Sequence, residues 1–191
     1  MTKTRKALWS TLIVAVLGGL AAFGAFSAFS DTTSNDNNQF ATGSVAIGDN
    51  ATSPLYDVSD AKPLDTSPDH CIQISYDGSL PATVKLYRSD FTMPYTTPNL
   101  ASYVTLNVTK GSGSNEDCSD FSGSTSVYSG LLSSFATTYG GGIALTDASN
   151  SGTWNDGDTV TYKFSAQVAN DNNAVGLNTG THSFIWEARN N

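Results

Sequence analysis

Residue types that carry catalysis or bind metals are scarce in this chain of 191 residues. It holds two histidines, His70 and His182, and two cysteines, Cys71 and Cys118. Cys71 could act as a nucleophile with the adjacent His70 as its base. Adjacent residues of a strand point to opposite faces, however, so the two side chains would not meet. The sequence contains neither a His-Glu-x-x-His zinc motif nor a Gly-x-Ser-x-Gly elbow. We therefore expect no catalytic residues, no metal ligands, no cofactor and no enzymatic activity.

The two cysteines have a simpler chemistry if the chain leaves the cytoplasm. Two cysteines in an oxidising compartment normally form one disulfide. A bond between Cys71 and Cys118 closes a loop with a sequence separation of 47. On the chain-entropy model such a loop is worth roughly 4 kcal/mol of stability. A redox pair would lie closer in sequence, and a zinc site would need more ligands than the chain offers.

Two polar stretches raise the question of calcium. Residues 155–158 and 171–173 carry carboxylate and amide oxygens, which are the ligands that calcium prefers. Asp and Asn are also the usual residues of tight turns, and neither stretch completes an EF-hand loop. We interpret both as turns, with calcium as the alternative. Asn50 and Asn107 begin acceptor sequences for N-glycosylation, which matter only in a host that glycosylates.

The start of the chain has the pattern of an export signal. Residues 7–29 carry no charge, are followed by the polar residues 30–34, and are preceded by three cations, Lys3, Arg5 and Lys6. This order is typical of a secretory signal peptide. We predict a signal helix over residues 1–28 and a secreted or cell-surface domain over residues 29–191. The alternative is an uncleaved membrane anchor, because about 20 apolar residues suffice to span a bilayer.

The cleavage bond is open from the residues alone. Cleavage after Ser27 or Ser30 puts small residues at both subsites of an ordinary signal peptidase. Cleavage after Ala28 puts Phe26 at the outer subsite, which such an enzyme tolerates poorly.

Charge excludes one class of partner. All 17 acidic residues lie beyond residue 28, and three of the nine cations lie before it, so residues 29–191 carry a net charge of −11. Phosphate binding needs clustered lysine and arginine, and no such cluster follows residue 6. We expect no nucleic-acid binding, and membrane contact only through an uncleaved signal.

Two-residue alternation of apolar and polar side chains dominates the rest of the chain. It predicts strands at residues 40–48, 71–76, 81–87, 103–108, 154–168 and 182–188. The Asp77-Gly78 pair indicates a hairpin between the second and third of these strands. Residues 111–114 have the composition of a flexible loop, and a short helix is plausible within residues 128–139. Short strands without a βαβ rhythm favour an all-β, antiparallel β-sandwich.

The junction between signal and domain resembles a known family. The break Phe29-Ser30-Asp31, followed by a strand with Phe40, Gly43, Val45 and Ile47, is similar to the start of TasA/camelysin proteins, which are exported by bacteria. The resemblance extends over nearly the whole chain, including residues 71–76, 78–87, 154–164, 171–176 and 184–188.

The resemblance implies a jelly-roll or immunoglobulin-like sandwich that serves as a subunit of extracellular biofilm-matrix fibres. It implies processing by a dedicated ER-type signal peptidase, with cleavage between Ala28 and Phe29. The mature N-terminal segment, with Phe29 at its start and Phe40 at its end, would then be donated as a strand to the next copy. The partner is therefore the protein itself, in a head-to-tail polymer.

Two alternatives stay open. A monomeric surface adhesin would use loops and exposed tyrosines, although strand aromatics more often pack within the fold. Camelysin-like relatives are associated with metallopeptidase activity, but this sequence departs from any zinc signature.

Overall fold

The fold is all-β, as the alternation predicts. The computed structural model describes residues 42–190, in which eight strands form two antiparallel sheets. The strands are β1 (Ile47–Asp49), β2 (His70–Tyr76), β3 (Ala82–Arg88), β4 (Val104–Ser112), β5 (Ser122–Leu131), β6 (Ile143–Leu145), β7 (Asp158–Val168) and β8 (Phe184–Asn190). Three short 3₁₀ turns, Leu100–Tyr103, Leu132–Ser134 and Asn172–Ala174, are the helical elements of this part of the chain. No helix within it has the length and apolar character to cross a membrane.

The strand order is that of a jelly roll with one strand moved. One sheet has the order β1-β2-β7-β4-β5 and the other the order β6-β3-β8. An eight-stranded jelly roll pairs strands in the orders 2-7-4-5 and 1-8-3-6. Here β1 pairs with β2 instead of β8, in the register Ile47↔Tyr76 to Asp49↔Ile74. The five-stranded sheet therefore gains an edge strand, and the three-stranded sheet lacks one.

The core lies between the two sheets and follows the predicted periodicity. Alternate residues of β2, β3, β4 and β7 are buried, because successive side chains of a strand point to opposite faces. The largest fully buried side chains are Trp154, Tyr76, Tyr162, Phe135, Phe164, Ile74, Leu86 and Leu106. Burial of one such side chain stabilises the fold by about 1.5–3 kcal/mol.

The predicted hairpin between the second and third strands is wrong. β2 and β3 lie in different sheets. The residues between them, 77–80, do not form a tight turn but pair with the segment before β1. Asp77 N donates to Ala46 O at 3.0 Å, and Leu80 N donates to Ser44 O at 3.1 Å. Gly78 is needed here because a Cβ would meet the Tyr76 ring. The chain thus crosses from one sheet to the other.

Three local predictions need smaller corrections. The predicted helix within residues 128–139 is instead the end of β5 followed by one 3₁₀ turn, Leu132–Ser134. Gly111 and Ser112 belong to β4 rather than to a flexible loop. β5 and β6 were not predicted, since β5 is rich in serine, threonine and glycine and β6 is only three residues long.

Candidate functional site

An apolar groove lies along one margin of the sandwich, between the β1–β2 edge of one sheet and β8 of the other. Its volume is about 560 Å³. Ile72 and Ile74 of β2 form one wall, and Phe184 and Trp186 of β8 form the other. Leu55, from the connection between β1 and β2, also lines it. These side chains belong to strand faces that would be covered if β1 lay beside β8.

The edge of β8 beside this groove has no partner strand among residues 42–190. β8 pairs with β3 over seven residues, from Ala82↔Asn190 to Arg88↔Phe184, along its other edge. The pairing has no register shift, so β8 is a regular strand. An open edge of this kind presents backbone N–H and C=O groups to any chain that can pair with them.

Aromatic packing fixes the β8 wall. The Phe184 ring centroid lies 4.9 Å from that of Phe164 and 5.4 Å from that of Phe135. The Trp186 ring lies 5.9 Å from Phe164 in an edge-on arrangement. Alternation along β8 directs Phe184 and Trp186 inward. The Trp186 Nε1 is buried and has no hydrogen-bond partner among the described residues, so the groove contains a donor that an added strand could satisfy.

A neutral pair closes one end of the groove. The Tyr56 hydroxyl lies 2.6 Å from His182 Nε2, and the rings of Phe91 and His182 are 5.1 Å apart. Burial, and then the positive charge of Arg88, lower the pKa of His182 to about 4. Burial raises the pKa of Tyr56. Both side chains are therefore uncharged at neutral pH, and this end of the groove suits an apolar or neutral occupant.

The predicted disulfide is present. Cys71 and Cys118 are joined, with a Cα–Cα distance of 5.2 Å. The bond attaches the loop of residues 113–120 to β2. A backbone hydrogen bond supports this attachment, since Cys71 N donates to Glu116 O at 2.8 Å. The disulfide therefore fixes a surface loop beside β2, the strand that pairs with β1.

The structure does not bring the two histidines into one site. His70 Nε2 lies 3.5 Å from Glu116 Oε2, whereas His182 contacts Tyr56 and Phe91. Within residues 42–190 no three histidine, cysteine or acidic side chains are grouped to hold a metal ion.

The polar stretches considered for calcium form turns. Asp158 Oδ2 accepts the backbone N–H of Asn155 at 2.6 Å, and Asp171 Oδ1 accepts that of Asn173 at 2.8 Å. Carboxylates that bond their own turn in this way match the turn interpretation. Of the two glycosylation acceptors, Asn50 uses both amide atoms, since Nδ2 donates to Ser114 O and Oδ1 accepts from Gln73 N.

Sequence reasoning did not identify the groove. Leu55 and Tyr56 lie in the connection between β1 and β2, and the sequence of residues 49–68, rich in Asp, Ser, Thr and Pro, indicates a loop. Within it only residues 55–58 have a strand-like pattern, and they lie outside the strands of the fold. His182 is predicted to begin the last strand, and it stands too far from other ligand residues in the sequence to predict a metal site.

The predicted signal helix, the Ala28–Phe29 cleavage bond and the donor segment of residues 29–40 lie outside the described residues. No protein-family model matches the chain, and no curated protein matches it either.

Proposed function

We propose that this chain is a secreted structural subunit of extracellular biofilm-matrix fibres. In this proposal the N-terminal segment of one copy, residues 29–40, adds to the open edge of β8 in the next copy and covers the groove. The observation that carries the proposal is the apolar groove beside β8, a regular strand whose outer edge has no partner among residues 42–190. The resemblance to TasA/camelysin proteins at residues 28–47 supports it.

Strand addition would remove two unfavourable features at once. Pairing along β8 would satisfy the backbone groups of its seven-residue edge. Insertion of an apolar side chain would cover the half-buried side chains of Leu55 and Trp186, at about 1.5–3 kcal/mol for each large side chain buried. Phe29 and Phe40 are the two aromatic anchors that the segment offers, and the residues between them are polar.

The proposed contact makes a polymer rather than a closed dimer. The donated segment and the groove are different surfaces, so each copy gives one and receives the other. Such a heterologous contact repeats head to tail. Signal removal would release the donor segment, so an ER-type signal peptidase is the processing partner and cleavage between Ala28 and Phe29 controls assembly. The secreted or cell-surface location follows from the same signal.

Net charge sets the conditions for assembly. Copies that each carry −11 repel one another, and both acid and salt reduce that repulsion. We expect fibre growth to accelerate as ionic strength rises. A growth rate that falls with added salt would contradict this expectation.

Electron microscopy of two purified chains tests the proposal. The mature chain beginning at Phe29 should form filaments, and a chain lacking residues 29–39 should stay monomeric with the same thermal unfolding midpoint. A mature chain that stays monomeric across pH and salt would overturn the proposal and favour a monomeric adhesin. Chelator-sensitive cleavage of casein by homogeneous protein would favour the metallopeptidase alternative.

A further inference from the structure

A carboxylate on the disulfide loop holds one wall of the groove. Glu116 Oε1 accepts both the backbone N–H and the hydroxyl of Thr52, each at 2.8 Å. Glu116 Oε2 accepts the hydroxyl of Ser53 at 3.1 Å. One side chain therefore binds two consecutive residues that are more than sixty positions away in the chain. Charge-assisted hydrogen bonds of this kind are stronger than those between neutral groups.

Glu116 holds a segment that runs along the groove. Ser53 lines the groove, as do Ala51 and Asp49, the last residue of β1. β1 pairs with β2 over only three residues, so the contacts of Glu116 hold the segment that follows this short ladder. Asn50 forms a further hydrogen bond to the same loop, in which its Nδ2 donates to Ser114 O at 2.8 Å. The position of this wall thus depends on the loop of residues 113–120.

The disulfide in turn positions the loop. Cys118 is bonded to Cys71 of β2 and has a φ of 60°, in the left-handed region that is unfavourable for residues other than glycine. Gly113, at the other end of the loop, has a φ of 138°, and its carbonyl accepts Gln73 Nε2 at 2.9 Å. Without the cross-link, Cys118 would be free to leave its strained conformation, and Glu116 lies only two residues away.

We propose that the loop of residues 113–120 is a redox-dependent latch, in which the Cys71–Cys118 disulfide and Glu116 hold the β1 wall in the position that accepts a strand. The inference rests on the proposed function and concerns the regulation of the same groove. Glu116 is a positioning residue, since it acts through Thr52 and Ser53. Reduction breaks the S–S bond and forms two thiols with two electrons and two protons from a dithiol, which itself becomes a disulfide.

The latch would confine assembly to the oxidising side of the membrane. In a reducing cytoplasm both cysteines are thiols, so the wall is loose and the groove accepts a strand poorly. After export, a disulfide oxidant accepts the two electrons and the loop closes on residues 50–53. Assembly would then require two events that both follow export, which are signal cleavage and oxidation.

Hydrogen exchange on the monomeric mature chain tests the latch without requiring filaments. Glu116→Ala should raise the exchange rate of the Thr52 amide, and of the amides of residues 48–51, by at least tenfold, with the disulfide intact. Asp117→Ala is the matched control, because it removes a carboxylate from the same loop whose hydrogen bonds stay within that loop, the nearest being from Ser119 N. Its exchange at residues 48–53 should equal that of the wild type.

Filament growth is measured on the same proteins. Glu116→Ala should slow growth at least tenfold, Glu116→Gln should lie between it and the wild type, and Asp117→Ala should grow normally. Unchanged exchange in Glu116→Ala, or raised exchange with normal growth, would overturn the latch. If the wild type itself forms no filaments, the proposed function fails, and the exchange rates still decide whether Glu116 holds the wall.

Discussion

The two margins of the sandwich are built differently. At one margin the chain passes from β5, the edge of the larger sheet, to β6, the edge of the smaller one, and covers the core on its way. Leu132 and Phe135 of this connection are 1% and 2% exposed. The Arg88 guanidinium holds it by donating to the carbonyls of Leu132 and Ser133. At the other margin no described segment links the edges β1 and β8 in this way, and a groove of about 560 Å³ remains.

The open edges of the two margins differ as well. β5 pairs with β4 through register shifts at Val108/Thr109 and Lys110/Ser112. Irregular pairing of this kind twists an edge and discourages the addition of another strand. β8 has regular pairing and apolar residues directed into the groove. One margin is thus closed by the chain's own connection, whereas the other keeps a regular strand edge without a partner among residues 42–190.

The largest effect should come from breaking the closed margin. Phe135→Ala removes a fully buried ring that packs 4.6 Å from Tyr128 and 5.4 Å from Phe184, and should cost about 3–5 kcal/mol of unfolding free energy. Leu55→Ala at the groove should cost about 1 kcal/mol, because Leu55 is only partly buried. Denaturant unfolding of the two variants as monomers measures the difference. Equal losses would show that the groove margin is as well packed as the closed one.

Removal of the disulfide should have the next largest effect. Replacement of both Cys71 and Cys118 by serine should lower the unfolding free energy by about 4 kcal/mol, because the loop of 47 residues is no longer closed in the unfolded chain. Thermal unfolding of the double variant against the oxidised wild type measures this loss. A loss below about 1 kcal/mol would mean that the cross-link contributes little to the groove side of the fold.

A charge placed at each margin sharpens the contrast. Ala51→Glu puts a carboxylate in the groove and should abolish filaments, since a buried unpaired charge opposes strand insertion. Ser124→Glu puts the same charge on an exposed residue of β5 and should leave filament growth within about twofold of the wild type. Growth is followed by light scattering. If Ser124→Glu abolished filaments and Ala51→Glu did not, the contact between copies would lie at the β5 margin, which would contradict the proposal.

The smallest effect concerns pH. The pKa of His182 is about 4 in the fold and close to 6.5 in the unfolded chain, so the unfolded state binds more protons between these values. Its contribution to stability is therefore present above pH 6.5 and is lost as pH falls towards 4. His182→Gln, which keeps a polar partner for Tyr56, should flatten the dependence of the melting temperature on pH across this window. An unchanged dependence would show that His182 does not titrate there.

The sequence predicts the parts of this fold that depend on local periodicity. The buried faces of β2 and β7 follow from alternation at residues 71–76 and 160–168, and the disulfide follows from two cysteines in a chain with a predicted export signal. The false hairpin at Asp77-Gly78 shows the limit. The partners of residues 77–80 are Ala46 and Ser44, more than thirty residues earlier, and no local pattern indicates that pairing.

The groove is beyond sequence reasoning for the same reason. Its walls are ordinary strand residues, such as Ile74 and Trp186, which the alternation assigns to the core. They form a groove because β1 pairs with β2 and, within the part of the chain that the structure describes, leaves the outer edge of β8 without a partner. The choice between two edges depends on contacts among segments far apart in sequence.

Hydrogen exchange of β8 in filaments and in monomers tests the central claim most directly. If residues 29–40 of a neighbouring copy pair with β8, alternate amides of Phe184–Asn190 should become strongly protected in filaments and should exchange faster in monomers. The amides of β5 should not change. Filaments in which β8 exchanges as in the monomer, with protection at β5 or elsewhere, would contradict the claim.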